Sequence, residues 1–150
     1  MRNYLLAIVL LGLINTTASA TEGMINLQSA HSVSVTADRL EKILQAKGMT
    51  VFKRIDHAAG AAKAGKELRP TELVIFGNPK VGTPLMLCSH SIAIDLPQKA
   101  LIWQDEQGKT WLNYNDPQYL KDRHGIEGCD AVLGKVAKAL AGFAAAATGQ

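Results

Sequence analysis

The sequence predicts an α+β domain: a mainly antiparallel sheet with helices packed on one face. Three observations lead there. Segments of helical and strand periodicity mix irregularly along the chain. The clearest hairpin signal comes late, at Gln107-Gly108. Setting aside an N-terminal export segment leaves residues 21–150, the size of a single domain.

The export segment covers residues 1–20. Met1-Arg2-Asn3-Tyr4 carries one positive charge, an apolar run extends from Leu5 to Ile14, and Ala18-Ser19-Ala20 puts small residues at −3 and −1 of a cleavage point. The run is shorter than the roughly 20 residues of a stable span, so no stable membrane span is expected. No Arg-Arg pair precedes the run and no Cys stands directly after the cleavage point, which argues against the folded-protein export route and against a lipoprotein. The expected location is therefore periplasmic or secreted. Beyond residue 20 the chain carries 15 basic and 13 acidic residues. That balance, with the basic residues scattered, leaves no nucleic-acid footprint.

Within the mature part, residues 28–35 alternate and predict a strand, with Thr36 as N-cap of a helix over 37–47. Leu40, Ile43 and Leu44 stand at helical spacing, and Gly48 suits the position just past the helix end. Thr50 to Ile55 predicts a second strand, Ala58 to Gly65 a short helical turn, and Glu72 to Phe76 a third strand. Gly77-Asn78-Pro79-Lys80 predicts a turn. Thr83-Pro84 predicts the start of a helix toward Cys88. Ser91 to Asp95 reads as extended, and Leu96-Pro97 breaks it.

The hairpin pairs 100–106 with 109–115. A two-residue loop would set Glu106 opposite Lys109. Leu101, Trp103, Leu112 and Tyr114 would then face the core, with Ile102, Gln104, Trp111 and Asn113 on the polar face. Asp116-Pro117 caps a short helix through Lys121. A final helix opens near Asp130 with Val132, Val136, Leu140 and Phe143 on one stripe. The Ala/Gly-rich stretch from Ala137 to Gln150 is expected to begin helical and fray at its end.

Two cysteines, Cys88 and Cys129, admit two readings. Export and an even count favour a disulfide. The competing reading joins Met86, Cys88 and His90, whose alternation on a strand would offer soft ligands to copper. Helical geometry from Pro84 splays residues two apart by about 200°, which argues against it. Gly77 to Thr83 follows a strand and precedes a helix, yet lacks the lysine that a phosphate loop places after its second glycine. Asp56-His57 ends a strand, where sequence neighbours do not face one another. The chain shows no Ser/His/Asp order, no His-Glu-x-x-His and no Cys-x-x-Cys, so no reaction is indicated.

Several stretches together resemble one family. They are Ile55-Asp56-His57-Ala58-Ala59-Gly60-Ala61, Glu67-Leu68-Arg69-Pro70-Thr71-Glu72-Leu73, Phe76-Gly77-Asn78-Pro79-Lys80 and Gly82-Thr83-Pro84-Leu85-Met86. Asp95-Leu96-Pro97, Trp103-Gln104-Asp105-Glu106 and Tyr114-Asn115-Asp116-Pro117 continue the pattern. The chain resembles domain of unknown function 302 over about residues 30–145. The resemblance implies a TBP-like curved antiparallel sheet with two main helices, and implies no activity.

A curved sheet with a helix across it leaves a groove, so the expected function is binding of a small molecule or peptide. The candidate ligand residues are His57, Asn78, Lys80, Thr83 and Tyr114, polar groups at element ends or on the hairpin. One alternative is an enzyme with His57 as general base and the 77–84 loop holding an anion. Another is a metal or haem carrier using Met86, Cys88 and His90. No cofactor is expected, and a homodimer is left open. The intact mass of the exported protein tests the processing: the mature chain should begin at Thr21 or within two residues of it, and retention of residues 1–20 would refute cleavage.

Overall fold

The computed structural model describes residues 22–150, so the segment read as a signal lies outside the described residues. Chain order is β1 (Met24–Ser29), α1 (Val33–Ala46), β2 (Thr50–Asp56), α2 (His57–Lys63), β3 (Thr71–Gly77) and α3 (Pro79–Cys88). A 3-10 turn (His90–Ile94), β4 (Gln98–Gln104), β5 (Thr110–Asn115), α4 (Pro117–Arg123) and α5 (Asp130–Thr148) complete it. The strands form one sheet in the order β1-β5-β4-β3-β2, each neighbouring pair antiparallel. The α+β class is as the sequence predicts.

Register explains which residues make the core. Val74 stands opposite Ala100, Ala100 opposite Tyr114, and Tyr114 opposite Ile25. The adjacent row runs Glu72, Ile102, Leu112, Leu27. Side chains alternate along a strand, so these rows share one face. On it pack the apolar stripes of α1 (Val33, Ala37, Leu40, Leu44) and α5 (Leu133, Val136, Leu140, Ala144, Ala147). Glu72 is a buried carboxylate within these rows, and a buried charge requires a partner. Arg54 on β2 supplies it, ion-pairing with Glu72 and with Asp38 of α1. The hydrogen bond to Glu72 leads in raising the guanidinium pKa, which keeps Arg54 charged.

Several boundaries differ from expectation for identifiable reasons. The alternation over 28–35 does not make one strand: β1 stops at Ser29, and α1 starts after Ser32, whose side chain accepts from the Val35 amide. Val33 is buried and Val35 exposed; on a strand residues two apart would share a face, whereas a helix splays them by about 200°. Thr36 lies inside α1. Its hydroxyl bonds Ser32 O at 2.8 Å and Ser29 Oγ at 2.7 Å. α3 begins at Pro79 with Asn78 as N-cap, leaving Pro84 inside the helix and Thr83 with no capping role. Both prolines suit a first turn, and the earlier one is used. The segment read as extended at Ser91–Asp95 is the 3-10 turn, anchored by fully buried Ile92.

The hairpin register is shifted by one. Leu101 pairs with Asn113 and Trp103 with Trp111, so the loop has three residues, Glu106 to Gly108. Gly108 takes φ +77°, the left-handed position such loops reserve for glycine. Asp105 clasps the turn, its Oδ1 accepting from the Gln107 and Lys109 amides. Consequently Ala100, Ile102, Leu112 and Tyr114 face the helices. Leu101 and Trp103, expected inside, lie on the opposite face with Trp111 and Asn113. Both indoles are half-buried and both N–H groups are satisfied: Trp103 donates to Asn113 Oδ1 at 2.7 Å, and Trp111 to Asp105 Oδ2 at 2.8 Å. That last bond leads in lowering the Asp105 pKa.

The Ala-rich end does not fray. α5 stays helical to Thr148, which is fully buried, and Arg39 of α1 donates to the carbonyls of Ala146 and Ala147. Those carbonyls lack intrahelical partners, and the arginine replaces them. Val132 and Phe143, expected on the core stripe, are only partly buried; Leu133 and Ala144 take the buried positions.

Cys88 ends α3 and Cys129 caps α5; they are placed as a disulfide with Cα atoms 6.5 Å apart. A cross-link between residues 41 apart removes about 4 kcal/mol of chain entropy from the unfolded state. Reduction, Cys88→Ser and the double change Cys88→Ser/Cys129→Ser should each lower stability by similar amounts in urea titration. Free thiols in oxidatively purified protein would refute the pairing.

Candidate functional site

At the end of the sheet where β3 leads into α3, a cavity of about 240 Å³ opens between α3, the α1–β2 turn and the segment entering β4. Each wall has a local cause. A β-bulge between Val51 and Lys53 interrupts β2 at Phe52, and bulges re-aim side chains. The Phe52 ring consequently lies across Gly77, where an added Cβ would stand 3.3 Å from Phe52 Cε2 and 3.4 Å from Pro97 Cβ. Gly77 thus lets the ring and Pro97 approach the β3 backbone. Asn78 then does two jobs: Oδ1 accepts from Lys80 N at 2.9 Å as N-cap, and Nδ2 donates to Gly48 O at 3.0 Å. It pins the start of α3 to the end of α1.

The lining is mostly apolar, with Met49, Phe52, Val81, Met86, Leu96, Pro97 and Val136, and among the described residues no charged one lines it. Asn78, Thr83 and Gln98 supply its polar side chains. Asn78 is engaged by the two bonds above. Gln98 is largely buried, but its amide atoms keep contact with solvent, and neither Gln98 nor Thr83 makes a side-chain hydrogen bond among the described residues. The Thr83 hydroxyl and the Gln98 amide are the polar groups open to an occupant.

Of the five residues read from sequence, Asn78 and Thr83 line this cavity. Lys80 is exposed on α3 outside it. His57 is exposed at the start of α2, and Asp56 is occupied as that helix's N-cap, accepting from Ala59 N at 2.8 Å. Tyr114 is buried in the core beside Leu40, Phe76 and Leu140. Burial, with the charge of Asp116, raises its phenol pKa. Met86 lines the cavity, whereas Cys88 is joined to Cys129 and His90 is exposed on the 3-10 turn. Among the described residues no cluster of three His, Cys, Asp or Glu could hold a metal. Phe52 and Gln98 escaped the sequence reading. A bulge leaves no mark in composition, while Gln98 would stand out as an inward-facing polar residue once the hairpin register is known.

A single antiparallel sheet with α1 and α5 on one face and an apolar cavity at its end defines an α+β domain of known shape. It matches the crystal structure of an uncharacterized conserved protein DUF302 from Bacillus stearothermophilus with TM-score 0.73 at 18% identity, covering 82% of this chain and 96% of that one. The family model described as "Domain of unknown function DUF302" matches residues 25–143, and the chain belongs to that family. The chain is also similar to two curated proteins named fluoride-specific ion channel FluC 1. The one from Brucella suis biovar 1 is 49% identical over 104 residues, 69% of this chain and 41% of that protein. The one from Brucella abortus biovar 1 shows the same identity over the same length, 38% of that protein. The chain thus spans about two fifths of the length of these relatives.

Asn78→Ala removes the cap and the tie to Gly48 together, and should cost about 1–2 kcal/mol in urea unfolding. Asn78→Asp keeps the capping oxygen and should lose less. Equal losses would show that the Gly48 bond, not the cap, holds α3.

Proposed function

We propose that this is an exported binding module whose ligand is a small apolar molecule with one polar end. The observation supporting it is a wall built from Met49, Phe52, Met86, Leu96 and Pro97, with the Thr83 hydroxyl and the solvent-accessible Gln98 amide as its free polar groups. Apolar lining with few polar groups is the usual composition of small-molecule sites, and two methionines allow the walls to adapt. The cavity's 240 Å³ limits the occupant to a compact molecule rather than a folded peptide. The leader-like residues 1–20 support the exported location.

Fluoride conduction is not part of this reading. The channel name belongs to proteins more than twice as long as the matched segment. α5 is long and apolar enough to cross a membrane by composition, but its Leu133, Val136, Leu140 and Ala144 are buried in the core of the domain.

Native mass spectrometry of protein recovered from the exporting cell tests the proposal, with a retained small molecule as the expected result. Gly82→Leu supplies the control. A Cβ at Gly82 would meet only Leu96 Cδ1, at 3.8 Å, so a larger side chain there enters the cavity while α3 persists. The variant should fold and lose the adduct. Retention of the adduct in Gly82→Leu would place the ligand elsewhere.

A further inference from the structure

We propose that Ser91, His124 and Asp95 form an acyl-transfer site, with Ser91 as nucleophile toward carboxylic esters that carry an apolar group. Two of them share one turn, Ser91 on the 3-10 turn and Asp95 as its C-cap, and His124 stands just past α4. Ser91 Oγ lies 2.9 Å from His124 Nδ1, and His124 Nε2 lies 2.6 Å from Asp95 Oδ2. The His124 and Asp95 side chains are 5% and 12% exposed, whereas Ser91 is open to solvent. A sheltered base behind an accessible hydroxyl is the arrangement that nucleophilic catalysis needs.

Proton positions follow from the acceptors. An ionised carboxylate only accepts, so the imidazole proton sits on Nε2 and points at Asp95. Nδ1 then presents its lone pair to Ser91. The order is that of a Ser-His-Asp triad with the two ring nitrogens exchanged, and such sites are recognised by geometry and role rather than by chain order. Ser91 has one hydroxyl proton and a second acceptor in reach, Ser89 Oγ at 3.0 Å. Imidazole is the more basic acceptor and stands slightly nearer. Ser89 also bonds the His124 carbonyl at 3.1 Å, fixing the backbone that carries the ring. Residues i and i+3 of a 3-10 helix eclipse, so Ile94, 74% exposed, stands on the same face as Ser91. That side chain is the reason for assigning an apolar group to the ester.

In the reaction Ser91 Oγ bonds to the ester carbonyl carbon as its proton passes to His124 Nδ1. The carbon–oxygen bond to the alcohol breaks, and the departing oxygen takes that proton. Water then gives a proton to Nδ1 and adds to the acyl-serine. Collapse releases the carboxylic acid and returns the proton to Ser91.

A fluorophosphonate and p-nitrophenyl butyrate are the probes, used on the full chain with its cysteines paired. One fluorophosphonate adduct on the peptide containing Ser91, together with p-nitrophenolate release, is expected. Ser91→Ala, at an exposed position, should keep the melting temperature and abolish both signals. His124→Gln should slow labelling by about 100-fold or more. Ser89→Ala should still label at Ser91. No adduct on Ser91 in the parent protein overturns the proposal, as does undiminished labelling in His124→Gln. The same three residues would then be a polar tie between the 3-10 turn and α4. Loss of the cavity ligand in Gly82→Leu has no bearing on these outcomes, because Ser91, His124 and Asp95 are not among the cavity's lining residues.

Discussion

The register of the β4–β5 hairpin governs what every strand of this sheet offers to the helices. Gly108 in its left-handed conformation and the Asp105 clasp close a three-residue loop, and that loop sets Ile102 opposite Leu112 rather than one position away. Pairing then propagates outward in continuous rows, from Leu112 to Leu27 and from Ile102 to Glu72. A slip of one residue would exchange the faces of β4 against β5. It would bring an indole into the helix interface and turn an apolar row toward solvent. The core of α1 and α5 against the sheet rests on this one turn.

The hairpin also marks where sequence reasoning ran short. The turn's location was legible, because Gln107-Gly108 sits between two strand-like runs. Its length was not, since two-residue and three-residue loops both accept a glycine there, and the faces of Leu101, Trp103 and Ile102 follow from that length. Elements defined by a cap and a periodic stripe, such as the α1 interior and α4 behind Asp116-Pro117, were legible. The beginning of α3 was not, because Pro79 and Pro84 are equivalent as local signals and the two Asn78 bonds, to Lys80 N and to Gly48 O, separate them. The cavity depends on that choice. Asn78 and Thr83 could be found as polar residues near a turn, but Phe52 and Gln98 owe their places to a bulge and a register. Ser91, Asp95 and His124 were invisible for a simpler reason: nothing local connects residues 33 apart until α4 folds back beside the 3-10 turn.

α3 itself is an unusual helix to place over a cavity. It contains Gly82 and Pro84, two residues that weaken a helix interior. Its stability comes from its ends: Asn78 ties the first turn to α1, and Cys88 ties the last to α5. Between those anchors the glycine leaves space beside Leu96, which is part of the cavity. Pinned ends and an open middle are what keep a pocket from collapsing onto its contents.

β1 is an outer strand of the sheet, and its sequence Met24-Ile25-Asn26-Leu27-Gln28-Ser29 carries neither charge nor proline. Such edges invite strand addition by another molecule. Here the end of α5 occupies part of that edge: Ala30 N donates to Thr148 O at 3.0 Å, and the Gln150 side chain donates to Gln28 O at 2.8 Å. Gln150 therefore plugs a main-chain acceptor that a neighbouring strand would otherwise seek. Resistance of this edge to strand addition thus comes to hinge on Thr148 and Gln150, at and just past the end of α5.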